Sequence, residues 1–197
     1  MATSLDRPYP KAWTVRQGLD AYLSENGFSN TSYDDPWMKV SVLWFSIPFP
    51  NPPKHAKAIR LHDLHHVATA YGTDLAGEAE ISAWELRRGL RGLDLFVSAI
   101  VIAGAFSGLF HAPRRTLRAW ADSRKWSSDA GTLYECELGT QYDALLDLTI
   151  GELRTRLAVP QDGLTEARKL HAGAARANRQ GSTTDRPSRL DQPLARP

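Results

Sequence analysis

The sequence predicts a mainly α-helical single domain with at most a small strand element near its N-terminus. Apolar residues recur at spacings of three and four, as in Tyr142, Leu145, Leu146, Ile150, Leu153 and Leu157. Helix-capping signals punctuate the chain, beginning with Thr14 followed three positions later by Gln17. Only one stretch, KVSVLWFSI at 39–47, has the β-branched and aromatic content of a strand. With 197 residues and 42% hydrophobic content, the chain can bury one sizeable core.

Taken in order, the capping box at Thr14 opens a helix through GLDAYLSEN that Gly27 closes. The strand-like run follows, and PFPNPP then forbids regular pairing and delivers the chain to a new helix, with Asn51 as its cap and Pro52 in its first turn. That helix carries HDLHH and is expected to end at Gly72; a second runs from about Asp74 to Leu90. The most apolar run, Leu95 to Phe110, falls short of the roughly 20 residues that cross a bilayer and is expected as a buried helix. Residues 113–126 form a basic helix with Leu117, Trp120 and Ala121 inward, and the segment GTQYDALLDLTIGELRTRL reads as one amphipathic helix. The domain therefore spans residues 8–159, and the Arg-, Gly-, Ser-, Thr- and Pro-rich remainder, 160–197, is expected as a disordered tail.

Charge excludes one broad class of function. The 24 basic and 22 acidic residues leave a formal charge of +2, unlike a protein devoted to neutralising nucleic-acid phosphates, so no nucleic-acid partner is expected. A single cysteine, Cys136, excludes a disulfide framework and a cysteine-rich zinc site, leaving histidines and carboxylates as metal ligands. The opening MATSLDRPYPKAW lacks an apolar stretch, so a cytoplasmic location is expected.

Candidate chemistry concentrates in LHDLHHVATAYGTDLAGEAE, residues 61–80, which holds three of the six histidines. On a helix His62 and His66 lie about 40° apart and one turn from each other, so they can share an ion. Asp63 sits about 100° round, as a further ligand or as a carboxylate orienting an imidazole. His66 precedes Gly72 by six residues and Glu78 follows it by six, so a reversal there brings both to the same height. Glu80 should face elsewhere, whereas Ser82 and Glu85 share the face of Glu78 and are candidate substrate-side groups. Two imidazoles and one or two carboxylates suit zinc with an open position or a non-haem iron centre. The alternative is an ordinary wet helix face, because Leu61, Leu64, Val67, Ala68 and Tyr71 form an apolar arc nearly opposite His62 and His66. Arg114, Arg115 and Arg118 can receive an anionic group, touch anionic lipid, or form a solvated face.

His62, Asp63, His66 and Glu78 also form an H-D-x-x-H-x11-E pattern. Within LHDLHHVATAYGTDLAGEAEISAWEL, and over roughly residues 55–158, the chain resembles the coenzyme Q (ubiquinone) biosynthesis protein four family. The resemblance implies a helical fold in which His62, Asp63, His66 and Glu78 bind a divalent metal, usually described as zinc, beside a pocket for a polyprenyl lipid. It also implies a role in removing the carboxyl group from a prenylated benzoate ring, with hydroxylation at that carbon, and in organising a biosynthetic complex. About the first 50 residues depart from the family pattern, so the chain looks like a divergent, bacterial-type member.

The leading expectation is a metal-dependent lyase that decarboxylates, plainly or oxidatively, an aromatic or polyprenylated benzoate-like acid, with His62, Asp63, His66 and Glu78 as its catalytic metal site. Iron is the alternative ion. A lipid-binding scaffold with a structural metal and a metal-dependent hydrolase or dehydratase are the competing functions, and a homodimer or a peripheral membrane contact is compatible with each.

Overall fold

Thr14 caps the first helix, α1 (Val15–Glu25), through the expected capping box, its hydroxyl accepting from the Gln17 amide while the Gln17 side chain accepts from the Thr14 amide. The computed structural model describes residues 8–28, 33, 37–42, 45–50, 52–125 and 130–165. The expected single strand is a two-stranded antiparallel ribbon, β1 (Trp37–Val42) and β2 (Phe45–Pro50), in which Trp37 stands opposite Pro50 and Val42 opposite Phe45. Two of the four prolines expected to forbid pairing, Pro48 and Pro50, lie within it, as a two-stranded ribbon permits because both of its strands are edges.

The helix bearing the histidines, α2 (Pro53–Thr69), has Pro52 as N-cap, one residue later than expected; Asn51 lies outside the described residues. It ends three residues before Gly72, where Ala70 turns the chain with a left-handed φ of 62°. Asp74 then caps α3 (Leu75–Arg88) by accepting from the Gly77 amide. A side chain at Gly77 would run into the backbone of Gly72, so only glycine lets α3 start this close to the reversal. Antiparallel pairing of α2 and α3 follows, with His66 beside Glu78 and His62 beside Glu85.

The remaining elements are α4 (Leu95–His111), α5 (Pro113–Lys125), α6 (Thr140–Asp147) and α7 (Ile150–Arg156). The C-terminal amphipathic segment is thus two helices rather than one. Thr149 breaks it with a second capping box to Glu152, although all six predicted apolar positions from Tyr142 to Leu157 are buried as expected. The caps of α1 and α7 meet as an antiparallel bridge, with Val15 N–H donating to Leu148 and Ile150 N–H to Trp13. Ile150 there packs on Gly18 and close to Val67, sealing one side of α2.

Three expectations about burial are corrected. Residues 160–165 belong to the packed domain rather than the tail: Leu164 is buried, and Arg154, itself buried, donates to the carbonyls of Ala68 and Gln161. The rest of the expected tail, 166–197, lies outside the described residues. The apolar helix is also not buried all round. On α4 only Val97, Val101, Ala105 and Gly108 are buried, and on α5 the inward residues are Thr116, Ala119 and Ser123, leaving Leu117, Trp120 and Ala121 outside. Small inward residues let these helices sit close: a side chain at Gly108 would collide with Ala79 and Thr116. No described helix is long and apolar enough to cross a membrane.

Candidate metal centre

α2 is covered on nearly every side, contrary to the wet-face alternative. Leu61, Leu64, Val67 and Ala68 are inaccessible on one face, and on the other His65 and His66 are 0% and 1% exposed. The cover comes from parts of the chain distant in sequence. Tyr22 of α1 stacks on the His66 ring at 5.5 Å between centroids, and Tyr134 sets its ring edge to His65 at 5.1 Å. Buried imidazoles need partners for their nitrogens, and each partner here fixes a tautomer.

His66 donates from Nδ1 to the carbonyl of Tyr71 at 3.0 Å, just past the end of its own helix. His62 donates from Nδ1 to Glu85 Oε1 at 2.8 Å. Both Nε2 atoms are left facing each other 3.1 Å apart, beside the two oxygens of Glu78 at 3.4 Å from His62 and 3.5 Å from His66. Two nitrogen lone pairs at that distance repel unless a proton or a cation lies between them. A tetrahedral ion with ligand bonds of about 2.0–2.1 Å requires ligand-to-ligand edges of roughly 3.3–3.4 Å. The two nitrogens, and each nitrogen with its nearer Glu78 oxygen, stand close to that spacing, and one ligand atom from each residue lies within 4.8 Å of the others, so His62, His66 and Glu78 can hold a metal ion.

Electrostatics favour the same set. Burial works against charging His62, but the carboxylates of Glu85 and Glu78 outweigh it and hold the metal-free imidazole well above its ordinary pKa. Burial also opposes the charge on Glu78, yet His66 and His62 pull its pKa down to about 2. Glu85, fully buried, is likewise held below the usual carboxylate range by His62 and His65. The centre is open on one side: the Glu78 side chain is 44% exposed and that of His62 22%.

The remaining candidates fall into different roles. Asp63 is buried outside the triad, and its Oδ2 accepts a short hydrogen bond from the Tyr33 hydroxyl. Its hydrogen bond goes to a tyrosine rather than to an imidazole, so Asp63 takes neither role expected for it, ligand or imidazole-orienting carboxylate, in this arrangement. Burial raises its pKa despite the nearby histidines. Glu80 faces away, as expected, and its buried carboxylate is held by Arg115 at 2.6 and 3.1 Å. Glu85 is not a substrate-side group but the acceptor that aligns His62. Ser82 is corrected too: its Oγ would lie 2.5 Å from a Cβ at Gly104, which places it against α4. Arg114 and Arg118 are exposed on α5.

Sequence reasoning missed His65 and the tyrosines. His65 donates from Nδ1 to the same Glu85 Oε1 at 2.7 Å, and its Nε2 accepts from the Leu133 amide at 2.9 Å. Burial keeps it neutral by lowering its pKa. One carboxylate thus ties a candidate ligand histidine to a structural one, and through it to the segment around Leu133. Tyr22, Tyr33 and Tyr134 are all buried about the centre, and burial raises the pKa of each, so each keeps its proton. The doubled histidine of HDLHH was the one signal for His65; nothing local marks the tyrosines. Neither a family model, nor a curated protein, nor a solved structure matches the chain.

Proposed function

We propose that the chain is a divalent-metal-dependent decarboxylase of an aromatic acid, a benzoate-type ring with or without a prenyl tail, with zinc as the ion at His62, His66 and Glu78. The observation that carries the metal is the pair of Nε2 atoms, each with its Nδ1 already committed, converging with Glu78. The open side supports a catalytic rather than a closed structural site, because a structural zinc ordinarily has four protein ligands and no access. The likeness of the H-D-x-x-H-x11-E pattern to the ubiquinone-biosynthesis family supports the substrate class.

A bound dication supplies a Lewis acid that anchors a carboxylate and a neighbouring phenolic oxygen. The chain's own part is positional. Glu85 and the Tyr71 carbonyl fix the two imidazoles, and Asp63 with Tyr33 supports the helix between them. When the bond from ring to carboxyl carbon breaks, its electron pair stays on the ring carbon and carbon dioxide leaves; a proton must then fill the vacated position. Tyr22, Tyr33 and Tyr134 stand buried about the centre, their hydroxyls kept protonated by burial, and the proton itself comes from solvent through the open side.

The test is elemental analysis of purified protein, followed by incubation with 4-hydroxybenzoic acid and prenylated analogues while carbon dioxide and ring product are measured. Stoichiometric metal and carbon dioxide release, both lost in His66→Ala, are expected. Metal without turnover of any acid would leave a scaffold; hydrolysis or dehydration without carbon dioxide would move the function to that class. A ring hydroxyl labelled from heavy dioxygen would identify the oxidative form and favour iron.

A further inference from the structure

Helices α4 and α5 are built inside out. The residues of α4 that face the protein are Val97, Val101, Ala105 and Gly108, while Leu95, Phe96, Ile100, Ile102, Phe106, Leu109 and Phe110 stand outside. Leu95 and Phe110, near opposite ends of the helix, are 87% and 89% exposed, so they project rather than line a cleft. Leu117 and Trp120 of α5 extend the surface, and a cavity of about 240 Å³ between the helices is lined by Phe106, Leu109, Leu117 and Trp120 among others. An apolar area of this kind on a soluble chain marks a docking surface.

Charge identifies what docks. From Leu95 to His111 the helix carries no Asp, Glu, Lys or Arg, and its border is cationic. Arg114 and Arg118 are exposed on the same face of α5 as Leu117, and the exposed Arg87 sets its guanidinium 5.0 Å from the centre of the Trp120 ring. Of the nearby acids, Glu80 and Asp74 pair with Arg115 and Asp94 caps α4, while Asp122, one turn beyond Arg118, is outnumbered on α5 by five basic residues. A second copy docked about a twofold axis would offer this border only residues of the same largely apolar and basic patch. A sheet of acyl chains under anionic headgroups accepts both parts.

We propose that the α4–α5 face docks on a lipid bilayer bearing anionic headgroups, with α4 lying in the plane of the interface. The body of the protein, held through the small-residue stripe, takes the place of the polar face that a free amphipathic helix carries. This stands independently of the metal centre.

The experiment is sedimentation of the full chain with vesicles of phosphatidylcholine alone and of phosphatidylcholine containing one quarter phosphatidylglycerol. The wild-type chain is expected to pellet with the mixed vesicles and less with the neutral ones. Replacing Phe106→Ser and Phe110→Ser together should lower partitioning to both by roughly tenfold or more, since both rings lose burial in the acyl region. Arg114→Gln with Arg118→Gln should weaken binding to the mixed vesicles only, with loss of salt dependence. All four side chains are exposed, so circular dichroism melts and metal content should match wild type. A chain left in the supernatant with both vesicle types overturns the proposal. So does a wild-type dimer in analytical ultracentrifugation that the Phe106→Ser, Phe110→Ser chain loses while vesicle binding is unchanged, because a second copy would then own the face.

Discussion

Glu85 is the residue whose replacement best separates the candidate centre from the fold around it. Its Oε1 accepts from His62 at 2.8 Å and from His65 at 2.7 Å, and the residue is fully buried. Glu85→Gln keeps an acceptor oxygen and the side-chain volume but removes the charge. A hydrogen bond to an ionised group is worth about 1.5–3 kcal/mol net and a neutral one about 0.5–1.5, so each imidazole loses roughly 1–1.5 kcal/mol of alignment. Only His62 reaches the triad, so that single loss should appear in metal affinity, as a weakening of roughly tenfold. Glu85→Ala, which removes the acceptor altogether, should move toward about a hundredfold, the upper range for groups that orient a metal-bound histidine. Zinc competition against a chromophoric chelator measures both, and melts in chelator monitor the metal-free fold. Glu80→Gln is the control: it weakens the ion pair that an equally buried carboxylate makes with the partly exposed Arg115, and should lower the melting temperature while leaving zinc affinity unchanged. The reasoning is refuted if Glu85→Gln binds zinc like wild type, or if Glu80→Gln weakens binding as much.

His66→Ala and Glu78→Ala should reduce metal content about equally, because both face one ion; unequal losses by elemental analysis would separate them into different sites. Gly77→Ala should destabilise by several kcal/mol, on the order of the larger backbone and packing effects, since its methyl meets main chain that cannot swing aside; an unchanged melt would disprove the tight reversal. His65 has its pKa lowered from 6.5 by burial, so the unfolded chain binds the extra proton first. Stability of the metal-free protein should then fall as pH drops below about 6.5, and His65→Gln should flatten that part of a melting-temperature profile. Removing residues 166–197 should leave the thermal transition cooperative and unshifted.

Local signals were legible wherever a cap or a turn governed the backbone. Thr14 with Gln17, Asp74 before α3, and the equal spacing of His66 and Glu78 about Gly72 are all found as read. The same kind of signal, Thr149 with Glu152, was present and marks the break between α6 and α7. What periodicity could not give was the second covering of α2. Its polar side looks solvated until α1 and the segment around Tyr134 close over it, and those contacts join residues more than forty positions apart. Glu85, expected on the substrate side, therefore aligns the centre instead, and His65, to which no role was given, shares its carboxylate. The inward face of α5 was misassigned for the opposite reason: Thr116, Ala119 and Ser123 are small enough to meet the close-lying α3 and α4, which leaves the larger Leu117 and Trp120 outside.

The bridge between the two threonine caps ties the start of the domain to its far end, and Ile150 reaches Gly18 and Val67 only through it. A chain emerging from the ribosome can wind α2 and α3 early, yet the wall behind the histidines stays missing until residue 150 and its neighbours are free to dock. Contacts this distant slow folding. Tyr22 is made before the histidines but Tyr134 and Ile150 long after them, so the nascent hairpin passes through an interval in which any ion it captures is held without its later walls.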